Sequence, residues 1–161
     1  MNNHFTAQDK ADIASAGDFH ELADIAITVL ERMRKNTPHL IVEVCGPMTT
    51  GGFGDVEKNM KFFEHSIVIL EQKGMIVFNQ IMFQEAMVKI CSSPDEVRSG
   101  YCKNILDIFY RRVFESGYVD QMWFLPTWRT SGGARWERKM AENLQIPIRE
   151  FPESWLKNIK V

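Results

Sequence analysis

Three cysteines in 161 residues, Cys45, Cys91 and Cys102, are too few and too irregularly spaced for a disulfide framework, and the lack of a Cys-x-x-Cys pair removes the commonest zinc signature. They read as reduced, small, semi-buried side chains. Histidine is scarce too. His4, His20, His39 and His65 are scattered without ligand spacing, so no metal site is expected, and neither a Ser-His-Asp nor a Cys-His nucleophile is legible. Charge of one sign is also missing: 19 basic against 21 acidic side chains leave a formal charge of −2. That balance excludes a polycationic surface for nucleic acid and a basic tail for anionic lipid, and points to small-molecule partners without a cofactor. No apolar run approaches a membrane span, and the polar start Met1 to Lys10 has no signal-peptide core, so a cytoplasmic protein is expected.

What is present is a core-forming chain. Hydrophobic residues make up 45% and aromatics 11%, which suits one folded domain over residues 1–161 and argues against disorder. Residues 1–37 read as an N-terminal extension, with the first fifteen or so as a tail and an amphipathic helix from Asp18 to about Lys35. That helix carries Leu22, Ile25, Ala26, Val29, Leu30 and Met33 at helical spacing, a stripe for the protein's own core or for a second subunit. The core is expected over 38–151. His39–Cys45 reads as a strand buried on both faces, followed by a glycine-rich loop to Gly54. Asp55–Lys73, with Val56, Met60, Phe63, Ile67 and Leu70 facing inward and Gly74 as the stop, is the next helix. Met75–Phe78 is a short strand, and residues 81–117 are helical in two pieces broken near Ser92-Ser93-Pro94 and closed by Gly117. Tyr118–Leu125 is a third strand, and Ile146–Phe151, with Pro147 unable to donate, an edge strand. A short helix is expected at Trp155. Alternating strands and helices predict an α/β fold: a Rossmann-like open parallel sheet of four to five strands with helices on both faces.

One carboxylate breaks the pattern. A helix starting near Ser131 puts Ala134, Ala141 and Leu144 three, four and seven residues from Glu137, so Glu137 lies on the apolar stripe. Such a group is either a nucleophile or acid, or a structural Glu paired with a nearby Arg, or the helix is rotated by one position. Ser131 caps the helix and also presents backbone donors to a ligand. The Gly46–Gly54 loop fits neither a dinucleotide nor a Walker fingerprint, yet permits close approach of backbone to a ligand. Trp128 and Phe53 are loop aromatics that either stack on a planar ring or cover a core end. Asn79, at a strand exit, either binds ligand or makes a turn.

Gly46-Pro-Met-Thr, Gly74-x-x-Val-x-Asn79 and Asp120-x-x-x-x-Leu-Pro-x-Trp-x-x-Ser-x-Gly-Ala-x-x-Glu137 resemble the nucleoside 2-deoxyribosyltransferase-like superfamily, in particular its small branch with a Gly-Pro-Met-Thr motif, over about residues 40–151. The resemblance implies a nucleoside or nucleotide ligand, cleavage or exchange of an N-glycosidic bond, Glu137 as nucleophile at the anomeric carbon, and a homodimer. It directs substrate contacts to Gly46, Pro47, Met48, Thr49, Asn79, Trp128, Ser131 and Gly132. Where the pattern has an aspartate eight residues before Asp120 this chain has Arg112, which cannot shuttle a proton but can bind phosphate. The implied activity is glycosyl transfer or hydrolysis through a covalent glycosyl-Glu intermediate. The other reading is an inactive nucleotide-binding or sensing module on the same fold. Asp55 and Asp107 are the candidates for a substitute acid.

Overall fold

β-branched residues make Ile41–Cys45 the central strand, and all five of its residues are buried, as a parallel strand covered on both faces requires. The computed structural model describes residues 4–94 and 102–161. In chain order the elements are α1 (Ala7–Ser15), α2 (Phe19–Asn36), β1 (Ile41–Cys45), α3 (Val56–Gln72), β2 (Ile76–Val77), α4 (Gln84–Cys91), α5 (Arg111–Glu115), β3 (Gln121–Phe124), α6 (Gly132–Leu144), β4 (Ile148–Glu150) and α7 (Glu153–Leu156). Short 3-10 turns lie at Gln80–Phe83 and Trp128–Thr130, and a π-helical run at Ile105–Tyr110. The expected second helical piece overlaps residues 95–101, which lie outside the described residues.

Two compact units form, His39–Phe78 with Val119–Val161, and Asn3–Pro38 with Asn79–Tyr118. The first holds a four-stranded, all-parallel open sheet in the order β2-β1-β3-β4, a Rossmann-like α/β arrangement. Glu43 pairs with Met122 and Cys45 with Phe124 in the β1–β3 register. The strands are shorter than their apolar runs, although backbone pairing continues past them: Phe78 donates to the Val42 carbonyl at 2.9 Å and Leu125 to that of Cys45 at 2.9 Å. The chain moves one way across the sheet from β1 to β2 and the other way from β3 to β4, so right-handed crossovers put α3 and α6 on opposite faces. The reversal leaves a crevice beyond the carboxyl ends of β1 and β3, where α/β sheets take ligands. Gly74, at φ 85°, ends α3 as expected.

In the second unit, α2 buries Leu22, Ala26, Val29, Leu30 and Met33, so its stripe is covered within the chain and is not free for a second subunit. The expected N-terminal tail is instead the helix α1, because Thr6 and Asp9 form a capping box and Arg32 grips Asp9 at 2.6 and 3.0 Å. Phe5, Phe83, Phe109, Tyr110 and Phe114 follow one another at centroid spacings of 5.0 to 5.9 Å. The expectation of reduced cysteines is overturned for two of the three. Cys91 and Cys102 form a disulfide with a Cα–Cα distance of 5.7 Å, brought together by the fold across a sequence separation of 11. Cys45 is free and buried. Among the described residues no helix is long and apolar enough to cross a membrane.

Candidate active site

Both loops at the carboxyl end of the sheet are held by backbone-level contacts. Gly46 leaves β1 against Leu125, whose Cδ1 would stand 2.6 Å from a Cβ at residue 46. Gly51 and Gly52 have φ of 73° and 59°, and a Cβ on either would collide, with the Thr130 carbonyl oxygen or with Asn59 Oδ1. The Gly52 amide donates to Thr130 Oγ1 at 2.7 Å, tying the loop after β1 to the loop after β3. Asn59, buried in the first turns of α3, braces the same loop: its Oδ1 accepts from Phe53 at 2.9 Å and its Nδ2 donates to the Gly51 carbonyl at 3.0 Å. Pro47 is buried, Met48 half-buried and Thr49 exposed.

On the other side Ser131 caps α6, its hydroxyl accepting from the Ala134 amide at 3.2 Å. Gly132 and Gly133 follow without side chains, so the helix opens bare toward the loops. Glu137 is 6% exposed, which settles the helix phase in favour of the inward position. Met140 shares the buried face with Ala134 and Ala141. Leu144, expected inward, is 37% exposed, because the helix ends there in the left-handed Gln145 and no layer covers its last residue. Val56, at the first turn of α3, is exposed for the same reason of position.

Burial pushes the Glu137 carboxyl up to about 8, a rise opposed only by a hydrogen bond from the Cys45 thiol. No cation pairs with Glu137 among the described residues, which removes the reading of a structural Glu clamped by Arg. Its chain neighbour Arg138 is engaged elsewhere, paired with Glu150 at 3.2 Å and stacked over the Trp128 and Phe124 rings at 4.5 and 5.1 Å. An unpaired buried carboxylate costs several kcal/mol, so Glu137 rests mostly protonated near neutrality. The Cys45 thiol is driven up by burial and by the charges of Glu137 and Glu43, so it remains a donor and not a nucleophile.

A family model described as Domain of unknown function (DUF4406) matches residues 41–150, from the first residue of β1 to the last of β4. The chain belongs to that family. No curated protein and no solved structure matches it. The matched domain contains both tied loops, Cys45 and Glu137, and leaves α1, α2 and α7 outside.

Within the DUF4406 domain, the structure groups Gly46, Pro47, Ser131, Gly132 and Glu137 at one end of the sheet. Trp128 packs edge-to-face on Phe124 and lines a cavity of about 240 Å³ with Leu125, Pro126, Glu150, Phe151 and Glu153. Glu137 is not among the residues that line that cavity. Asp120 accepts from the Ile41 amide at 2.7 Å, at the amino end of β1 and away from the loops, which makes it a strand fastener. In the second unit Asn79 caps a 3-10 turn by accepting from Ile81 at 3.1 Å, and Arg112 is bound to Asp24 at 2.6 Å and to the His20 carbonyl at 3.1 Å. Asp55 is occupied as the cap of α3, accepting from Lys58 at 2.9 Å. Three residues escaped the sequence reading: Cys45, Asn59 and Glu43. Only Glu43 left a signal, a carboxylate in the middle of a strand otherwise apolar on both faces.

Proposed function

We propose that this chain cleaves or exchanges the N-glycosidic bond of a nucleoside or nucleotide, with Glu137 as the nucleophile. The observation that supports it is a buried carboxyl, free of any cation among the described residues, touching the last residue of β1. A Glu137 oxygen attacks the anomeric carbon as the carbon–nitrogen bond breaks; the electron pair leaves with the base, which takes up a proton, and an ester joins the sugar to Glu137. Water or a second base then attacks the same carbon and Glu137 departs as a carboxylate. In a dry pocket that carboxylate is a stronger partner for oxocarbenium-like charge than it is in water. The side-chain-free first turn of α6 and the Gly46–Gly54 loop offer backbone donors to hydroxyl or phosphate groups. The same reading expects a cytoplasmic homodimer, which light scattering of the purified chain tests.

A second reading, a nucleotide sensor without turnover, is favoured by Arg112, which stands where the superfamily pattern has an aspartate and is held by Asp24. One experiment separates the two. The protein and its Glu137→Ala and Glu137→Gln variants are incubated with a panel of nucleosides and deoxynucleoside monophosphates, and free base is followed. Release by the parent, reduced at least about a thousandfold in both variants, supports the nucleophile. Tight binding without release supports the sensor, and equal release by parent and variants rules Glu137 out.

A further inference from the structure

Glu43 sits at the centre of β1, fully buried, and neither of its carboxyl oxygens has a hydrogen-bond partner. The neighbouring strands offer it only apolar company: Met122 opposite on β3, and Phe78 one step past the β1–β2 ladder. An aliphatic residue of similar size would fill this place without stranding two oxygens. Strand alternation puts Glu43 on the same face as Cys45, the residue that donates to Glu137. Two titratable groups share its surroundings, the Glu137 carboxyl and the Cys45 thiol, and no cation offsets either acid among the described residues.

We propose that Glu43 is a second acidic residue of the Glu137 site: the two buried carboxyl groups never carry more than one negative charge between them, Glu43 keeping its proton when Glu137 ionises. Two like charges in one dry compartment cannot both form near neutrality, so environment divides the roles. Glu137 is the member that ionises first, because the Cys45 thiol donates to it whereas nothing donates to Glu43. Glu43 lies deeper along the strand than Cys45, so it acts through Glu137 as a positioning residue that confines the charge to the outer carboxyl. This deepens the proposed glycosyl transfer, but its test needs no substrate.

The protein is labelled with carboxyl-¹³C glutamate and titrated by NMR, with Glu43→Gln and Glu137→Gln identifying the two signals. At the pH where Glu137 is half ionised, Glu43 should still show the shift of a neutral acid. In Glu137→Gln the ionisation of Glu43 should begin at lower pH, by roughly one unit, the scale at which two sites count as coupled. In Glu43→Gln, Glu137 should titrate in a single step without the late inflection of the parent. Should Glu43→Gln not fold, Glu137→Gln alone decides. A Glu43 signal already ionised when Glu137 is neutral, or one unmoved in Glu137→Gln, overturns the pair. Absence of base release with the titration intact sinks the glycosyl reading and leaves the pair standing.

Discussion

At the scale of single residues, Glu137 sets a pH dependence whose sign is fixed by its raised carboxyl. In the unfolded chain the group ionises near 4.5, in the folded chain near 8, so the native state holds a proton that the unfolded state has released between those values. Stability from this group is therefore fully present below the unfolded value and lost as pH rises toward 8. Glu137→Gln, which cannot ionise, should melt at the same temperature as the parent near pH 4 and be more stable by an amount on the order of 3 kcal/mol at pH 7. Thermal unfolding across that range checks it; equal melting temperatures at both ends mean the carboxyl is solvated. Asp9 behaves oppositely. The Arg32 guanidinium, with help from Thr6, holds its carboxyl down to about 2, so the contribution is present above the ordinary carboxylate range and lost as pH falls through the folded value. Since the Arg32 side chain is 34% exposed, solvent screens the pair, and Asp9→Asn should cost only about 1 kcal/mol at pH 7, a cost that disappears once the pH is taken below the folded value.

At the scale of elements, the loop after β1 depends on two glycines because two other elements press against it. Gly51→Ala must place a methyl into the Thr130 backbone from a left-handed conformation, and Gly52→Ala into the Asn59 side chain, whose amide is committed at both ends. Each should destabilise by about 1–3 kcal/mol in urea unfolding. Gly54→Ala, with the same sign of φ but open space around it, should show only the smaller backbone penalty. If all three alanine variants unfold alike, the tie between the loops contributes nothing. The crowding at Gly51 and Gly52 was not legible in the sequence, where Gly46–Gly54 reads only as a loop that lets backbone approach a ligand. The cap of α6 was, because a serine before two glycines and a helical apolar period is a local signal.

At the scale of the whole molecule, the Cys91–Cys102 disulfide changes what the thiols should report. Unfolded in the absence of reductant, the purified chain should expose one reactive thiol, from Cys45, and all three only after reduction. Three thiols without reductant would contradict the bridge. The two-unit organisation was also outside the reach of sequence: a boundary near residue 38 is visible as a break between periodicities, but the partnership of Asn3–Pro38 with Asn79–Tyr118 joins segments far apart along the chain.

What the sequence determined by itself is local or periodic: the four parallel strands and the helices between them, the stops at Gly74 and Gly117, and the apolar-face position of Glu137, each carried by neighbours within a few residues. Tertiary structure alone decided which groups share a compartment. Glu43 and Cys45 come beside Glu137, Gly52 beside Thr130 and Cys91 beside Cys102, while Arg112 is drawn to Asp24. Such meetings follow from strand order and crossover handedness, which bring distant segments to the same place and leave no mark in the spacing of residues along the chain.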